Sequence, residues 1–517
     1  MTVEYDLIVI GGSSAGVYTA ITASHLNARV ALVKPQGFQA SWLSHGMLYA
    51  HALTQVGRVA QQLGDSSQFT IYSQIAQSIY HQQVSSPPLA EYQTESSFAS
   101  QAHKPLITEA MQQAKLIIST CSEQNYPTVL ASLGVDVITG DGEFCRKPKL
   151  GFVVNNRRLR ARAYLIATGS RPGIPDIEGL QGIGYLTALD IWQQRWEAGG
   201  AGGEQSQLLQ GNWLVIGGEP LGIQMAQTLV RLNCQVTLVV SDAYILSKED
   251  SEASFLMQAQ LEAEGIRVLT QSPVTQVKLI DDKKWVQAGS QAIEADEILL
   301  ATGQQPNIES LNLEGVGVKF NRRGLELNQK LQTTHPRIYA CGDVAGGYQF
   351  AHLAEYEASI ALKNALFLPW FKVDYRGIPW AIFTDPQLAR VGLTENQARR
   401  RYSKEVFVVR QYFKTLDKAQ LLGETTGFCK LVTRQNGEIL GATIVGCQAS
   451  ELIGVIALAI RQNIKVSTLA DLPLPSPSLS KIIYQTALEW RRQRLRSNTT
   501  LQNFREGFFR WRRKWSS

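Results

Sequence analysis

Tyr5 to Ile10 is a near-continuous apolar run, the pattern of a parallel strand covered on both faces. Gly11-Gly12-Ser13-Ser14-Ala15-Gly16 follows. Small and apolar residues from Val17 to Leu26 then predict a helix, and Arg29-Val30-Ala31-Leu32-Val33 predicts a second strand. This is a βαβ unit. The pattern returns 206 residues later. Trp213-Leu214-Val215-Ile216 predicts a strand, Gly217-Gly218-Glu219-Pro220-Leu221-Gly222 a turn, Ile223 to Leu232 a helix, and Gln235 to Val240 a strand. Leu165-Ile166-Ala167-Thr168-Gly169 and Leu299-Leu300-Ala301-Thr302-Gly303 form a second echo, each closing a strand on Ala-Thr-Gly.

Between these units, residues 61–103 are rich in Gln and Ser and carry Pro87-Pro88, which reads as helix interrupted by loop. Ala198 to Gly203 reads as a flexible linker. After Asp374, strand-like runs such as Glu405–Arg410 and Phe428–Thr433 mix with helices, suggesting an α+β domain. The expected organisation is a first nucleotide-binding segment over 1–197 and a linker over 198–211. A second nucleotide-binding domain follows over 212–310, then a return to the first domain over 311–372, an α+β interface domain over 373–490 and a tail over 491–517.

Composition narrows this picture. At 517 residues, with 44% hydrophobic and 18% charged positions, the chain is globular and large enough for about three domains, which excludes wholesale disorder and a coiled coil. The apolar run Leu452 to Ile460 falls well short of the roughly 20 residues of a membrane span. Met1-Thr2-Val3-Glu4 lacks a basic start, so no secretory leader is expected. Six cysteines (121, 145, 234, 341, 429, 447) stand at least 18 positions apart. That spacing excludes a zinc ribbon and a local redox dithiol, leaves no metal site to expect, and fits a reduced, cytoplasmic chain. Net charge is +6, but residues 491–517 carry nine Lys/Arg against one acid, while the other 490 residues carry 41 against 43. The basic character belongs to the tail.

A glycine turn between strand and helix lets backbone N–H groups approach a pyrophosphate, and the helix N-terminus adds partial positive charge. Gly11, Gly12, Ser13, Ser14, Ala15 and Gly16 are candidates for such a cradle. Gly217, Gly218, Gly222 and Gly303 are the corresponding candidates for NAD(P). Both loops depart from the usual pattern. The strand after the first loop ends in Lys34 rather than a ribose-binding acid. In the second loop Glu219 puts a carboxylate where phosphates would sit, and Val240-Ser241 offers neither an acid nor an arginine for the ribose.

With these units in order, Tyr339-Ala340-Cys341-Gly342-Asp343-Val344-Ala345-Gly346-Gly347 resembles the second FAD signature of the class-I pyridine nucleotide–disulfide oxidoreductases, nearest the mercuric reductase and dihydrolipoamide dehydrogenase branch. Ala301-Thr302-Gly303-Gln304-Gln305-Pro306-Asn307, Ala351 to Tyr356, Phe383 to Gly392 and Gly441 to Gly446 share the likeness, which spans about residues 4–490. The resemblance implies an α/β fold of glutathione-reductase type, with two Rossmann-like nucleotide-binding domains and a C-terminal α+β dimerisation domain. It implies FAD, with NAD(P)H as the second nucleotide, and a homodimer through 373–490. Asp343 would hydrogen-bond the flavin ribityl chain, Ala167, Thr168 and Gly169 would pack on the cofactor, and Gly142 would lie near the adenine.

Against that family the chain lacks the relay. Trp42-Leu43-Ser44-His45-Gly46-Met47 falls on the segment that carries two cysteines in the family, with Trp42 and Met47 in their places. His51 stands for the lysine beside the flavin, and Gln224 for a glutamate near the nicotinamide. Leu474 and Lys481 stand for the partner's His-Pro…Glu base. Neither a Trp nor a Met forms a thiolate, and a Leu cannot move a proton. His51 and His45 are candidate acid/base groups, Trp42 a candidate stacking group, and Trp42 and Met47 candidate void fillers. The expected function is a flavoprotein oxidoreductase passing electrons from NAD(P)H through flavin directly to an acceptor such as a quinone or oxygen. The alternative is a catalytically degenerate FAD-binding scaffold. In the tail, Leu501, Phe504, Phe508, Trp511 and Trp515 recur at helical spacing opposite Arg505, Arg510, Arg512, Arg513 and Lys514, which suits a helix lying on an anionic membrane surface. Docking on the protein's own dimer is the competing use. No nucleic-acid module is recognisable.

Overall fold

The computed structural model describes residues 4–35, 50–61, 116, 126–192, 211–347, 349–497 and 499–515. Trp42, His45, Met47, Cys121, residues 62–103 and linker residues 198–210 lie outside these. The chain divides into two compact units, one holding the described parts of 1–243 and 261–373, the other 244–260 and the described parts of 374–517.

In the first unit, five strands form a parallel sheet in the order Ile338–Ala340, Ala161–Ile166, Tyr5–Ile10, Val30–Lys34, Asp136–Thr139. Side chains alternate across a strand, so both faces of Tyr5–Ile10 must find apolar partners. Leu7 and Val9 pack with Ala20 of the Ser14–His25 helix and with Ala358 and Ala361 of the Ala351–Leu366 helix. Ile8 and Ile10 face the other way, onto Phe144, Phe152 and Tyr164. The rings of Phe144 and Phe152 meet edge to face at 5.1 Å, and those of Phe144 and Tyr164 at 5.6 Å. Phe144 and Phe152 come from an antiparallel sheet of Gly142–Cys145, Gly151–Val154 and Arg157–Leu159. The unbroken apolar run at the start of the chain is thus explained by two covering layers.

The second nucleotide-type sheet repeats the plan, in the order Arg267–Leu269, Gln235–Val239, Asn212–Ile216, Glu297–Leu300, Leu186–Thr187, again parallel. An antiparallel meander, Val274–Ile280, Lys283–Ala288 and Gln291–Ala295, supplies Val277, Val286 and Ile293 to its core. The predicted helix after the second loop runs Pro220–Arg231.

The other unit has a five-stranded antiparallel sheet in the order Pro379–Ile382, Gln387–Gly392, Ile439–Gly446, Phe428–Arg434, Val406–Tyr412. Helices Ala449–Arg461 and Lys481–Ser497 bury Ile453, Ile456, Ile482, Ile483 and Ala487 with its core. Residues 244–260 join this unit through charge. Lys430, 3% exposed, places its ammonium 2.8 Å from Asp250, 2.8 Å from Glu252 and 3.5 Å from Glu395. Arg390 pairs with Glu249 at 2.7 Å and lies over the Trp380 ring. Burial opposes the charge on Lys430, but its hydrogen bonds to Asp250 and Glu252 outweigh that and hold its pKa above the ordinary lysine value. Removing one member of such a cluster strands the others. Lys430→Met is expected to lower the unfolding free energy by about 3–5 kcal/mol. Denaturant midpoints measured beside wild type test this, and a loss below about 1 kcal/mol would mean that water already satisfies the carboxylates.

Candidate functional site

Two glycines set the first loop. Gly11 has φ +113°, and a Cβ there would lie 2.2 Å from the Ala167 carbonyl oxygen. At Gly16 a Cβ would lie 2.1 Å from the Gly11 carbonyl oxygen. Only glycine permits this approach, which brings the first turn of helix Ser14–His25 against the ends of two neighbouring strands. Ser13 is the N-cap: its Oγ accepts from Gly16 N–H at 3.3 Å and donates to the Ala167 carbonyl at 2.7 Å. The serine at the middle glycine position is therefore occupied in fixing the helix start. The first-turn N–H groups of a helix have no acceptor within it, so this end of a twelve-residue helix is suited to an anion.

The late Gly-Asp comes to the same sheet. Strand Ile338–Ala340 borders Ala161–Ile166, and a 3-10 turn, Gly342–Ala345, follows it. Asp343 is 4% exposed and accepts from Ser170 Oγ at 2.5 Å. Burial pushes its carboxyl up to about 6, against the smaller opposing pull of the Ser170 hydrogen bond. Gly342 N–H donates to buried Glu357 at 2.7 Å, which ties the turn to helix Ala351–Leu366. Ser170 and Glu357 escaped the sequence reading. Ser170 lies one residue past an Ala-Thr-Gly, but the distance of 173 residues to its partner left no local signal.

The Ala-Thr-Gly segments serve as ties. Thr168 Oγ1 donates to the Asn307 carbonyl at 2.7 Å, and Asn307 Nδ2 returns a bond to the Thr168 carbonyl at 3.1 Å. Thr302 Oγ1 donates to the Gly173 carbonyl at 2.8 Å. Between these ties, Ser170–Pro172 and Gln304–Pro306 pair antiparallel. Gly142 opens a strand against Phe152, where a Cβ would lie 2.5 Å from the ring, so packing alone accounts for a glycine there.

The second loop repeats the first. Gly217 has φ +124°, with a would-be Cβ 2.2 Å from the Ala301 carbonyl, and at Gly222 a Cβ would lie 2.1 Å from the Gly217 carbonyl. Gly303 has φ +97°. Here, however, Glu219 is the N-cap, with extended backbone and no side-chain capping bond, and Pro220 opens the helix. A carboxylate at the positive helix end is locally stabilising and disfavours a second anion.

Helix 50–61 meets Pro220–Arg231 through a buried polar cluster. Gln224 Nε2 donates to Thr54 Oγ1 at 3.0 Å, and the Thr54 and Thr228 hydroxyls stand 3.2 Å apart. His51, three positions before Thr54, is half-buried, and burial pushes its imidazole down to about 4. It is neutral at physiological pH. Cys341 is buried beside the flavin signature, and burial raises its thiol well above the ordinary value, so no thiolate forms there. In the C-terminal unit, Lys481 Nζ donates to Ser476 Oγ at 2.6 Å. Leu474 and Ser476 each precede a proline, and it is Ser476 that Lys481 engages.

The tight Gly11–Gly16 cradle and the buried Asp343 acceptor fit the FAD that the resemblance implies. The family model described as pyridine nucleotide-disulphide oxidoreductase matches residues 5–358, and that of its dimerisation domain matches residues 378–487. The chain is 30% identical over 494 residues to mercuric reductase of Staphylococcus aureus, covering 94% of this chain and 82% of that protein. It is 28% identical over 508 residues to dihydrolipoyl dehydrogenase of Bacillus subtilis (strain 168), covering 94% and 98%. The HOCl-induced flavoprotein disulfide reductase RclA from Escherichia coli aligns with a TM-score of 0.75 at 22% identity, covering 93% of this chain and 99% of that one. LpdA from Mycobacterium tuberculosis gives 0.75 at 23%, with the same coverage. These structures share the expected fold of two nucleotide-binding domains and a dimerisation domain. The matched family is FAD-dependent with NAD(P)H, and its dimerisation domain accounts for the expected homodimer. No helix among the described residues is long and apolar enough to cross a membrane.

The raised carboxyl of Asp343 gives a signed prediction for the flavin-free protein. Between about pH 4 and 6 the folded state holds a proton that the unfolded state has released, so stability falls as pH rises, by up to about 3 kcal/mol. Asp343→Asn has no such proton. Unfolding curves of the two apoproteins should converge near pH 4 and favour the variant at pH 7, while the variant retains less FAD on purification. Parallel curves across that range would refute the assignment.

Proposed function

The chain belongs to the pyridine nucleotide-disulphide oxidoreductase family, and from this we propose an FAD-dependent NAD(P)H oxidoreductase that hands electrons to a small acceptor without a dithiol. One observation carries the proposal: no two cysteines lie closer than Cys429 and Cys447, 18 positions apart, so the chain has no local pair to open and close. Trp42 and Met47 stand in the places of that pair. Bound FAD would supply the two-electron exchange between nicotinamide and acceptor. The chain's own part is to hold it, through the Gly11–Gly16 loop and Asp343, and to set uncharged groups at 51 and 224.

That neutrality bears on mechanism. His51 remains uncharged at physiological pH, and Gln224 is held by Thr54. Leu474 and Lys481, which stand for the partner's base, offer no group to serve a leaving thiol. A quinone needs no such base. NAD(P)H, one proton and a quinone give NAD(P)+ and a hydroquinone, and dioxygen in place of the quinone gives hydrogen peroxide. Residence on an anionic membrane would bring a lipid-soluble quinone within reach.

Glu219 favours a second reading, an FAD-holding scaffold that the nicotinamide nucleotide engages poorly. The readings separate in one cuvette. Purified protein should be yellow, and NADH or NADPH without oxygen should bleach it. Reoxidation by a soluble quinone should then proceed while oxidised lipoamide and Hg(II) are left unreduced. A colourless protein that FAD cannot reconstitute ends the proposal, and a yellow protein that neither nucleotide bleaches leaves the scaffold. Glu219→Ser is expected to lower the KM for the reducing nucleotide about tenfold by removing like-charge repulsion. An unchanged KM would mean that the carboxylate is turned from the phosphates.

A further inference from the structure

The last helix, Thr499–Trp515, contrasts with the body it extends. Lys481–Ser497, the helix before it, buries Ile482, Ile483, Thr486, Ala487 and Trp490. From 502 to 515 every side chain is exposed. Phe504 is 70% exposed and Trp515 79%, although large aromatic side chains ordinarily seek burial. Phe504, Phe508, Trp511 and Trp515 follow one another at spacings of 4, 3 and 4, which sets them in one stripe. Their rings run together, with Phe508 6.0 Å from Trp511 and Trp511 5.1 Å from Trp515. Arg505 and Arg512 flank the stripe on one side, Arg510, Arg513 and Lys514 lie elsewhere round the helix, and exposed Phe509, off the stripe, meets the Phe508 ring at 5.8 Å. Glu506 is the single acid of the helix, and it lies 3.5 Å from Arg510.

We propose that Thr499–Trp515 is an interfacial anchor whose aromatic stripe enters the headgroup region of an anionic lipid bilayer while its cations bind lipid phosphates. Charge complementarity selects this occupant. A protein partner would have to present an apolar groove bordered by dense negative charge. The rest of this chain, with 41 Lys/Arg and 43 Asp/Glu outside 491–517, carries no such excess for a second copy to offer. An anionic membrane presents both layers at once: phosphates for Arg, and a boundary region favoured by Trp. Most helical stability comes from packing an amphipathic face, so seating this one also stabilises it. The inference is independent of what the flavin site reduces.

The test uses the full-length holoprotein and vesicle sedimentation, with phosphatidylcholine vesicles beside vesicles carrying about 30 mol % phosphatidylglycerol. Binding to the anionic vesicles is expected at least about tenfold tighter, weakening as salt rises. Trp511→Ser/Trp515→Ser should cost about tenfold or more by removing inserted area. Arg510→Gln/Arg512→Gln/Arg513→Gln should cost roughly fivefold per charge and abolish the lipid preference. Flavin content and dimer mass should be unchanged in each variant. Equal binding to both vesicles, or undiminished binding after deletion of 499–517, overturns the proposal. So does a wild type that ignores vesicles: if deletion then splits the dimer, the helix is an internal interface, and if the tail instead retains the protein on DNA, it is a nucleic-acid arm.

Discussion

The nucleotide sites rest on one steric constraint: a glycine backbone lying where a side chain would collide with a strand carbonyl. Gly11 against Ala167 and Gly16 against Gly11 bring a helix start to the ends of parallel strands, and Gly217, Ala301 and Gly222 do so again. A Cβ near 2 Å from a carbonyl oxygen is not relieved by a rotamer change, because backbone sits on both sides. The departures elsewhere in the loops follow from this. Ser13 and Glu219 fall at N-caps, outside the glycine–carbonyl contacts, so the fold tolerates them. What they alter is chemistry. Ser13 turns inward as a cap, whereas Glu219 sets a carboxylate at the start of helix Pro220–Arg231 without capping it.

The substitutions around the helix pair 50–61 and Pro220–Arg231 fit together electrostatically. The resemblance puts a lysine at His51 and a glutamate at Gln224. Losing either alone would leave a buried charge without its counter-ion, a costly state. Here both are neutral: burial holds His51 uncharged, and Gln224 finds a threonine hydroxyl. Where the resemblance puts the partner's base, Leu474 carries no titratable proton and Lys481 donates to Ser476. Among the described residues, Gln224 and Lys481 each have a hydroxyl partner.

How much of this the sequence disclosed depends on the range of each signal. The two βαβ units were readable because strand, glycine turn and helix all lie within some thirty residues of each other. The Phe428–Arg434 strand and the tail helix likewise declared themselves by local period. Closure of the sheets was not readable. Ile338–Ala340 joins a strand some 170 residues earlier, and Leu186–Thr187 joins one more than 100 residues later. The ties of Ser170 to Asp343 and Thr54 to Gln224 are invisible for the same reason. So is the membership of 244–260 in the C-terminal unit, which depends on a lysine at 430. The bond from Lys481 to Ser476, five residues away past Pro477, likewise carried no signal in the sequence.

The division between core and tail falls inside a single helix. Along Lys481–Ser497, Trp490 is the last buried aromatic, packed near Gly437, and arginines at 491, 492, 494 and 496 follow at once. Up to Trp490 a substitution is answerable to a close-packed core, where a single methylene matters. Arg491 still pairs with Asp471 at 2.6 Å, but from 502 to 515 every side chain is exposed to water or to whatever the tail touches. Such a segment can gather nine cations and five exposed aromatics without disturbing the flavin fold. If it gathered them for no partner, the aromatics would carry a standing cost in solubility, since a stripe of Phe and Trp exposed on a helix invites association. The alignment of four of them in one stripe, bordered by arginine, is the physical reason to look for a surface that takes them.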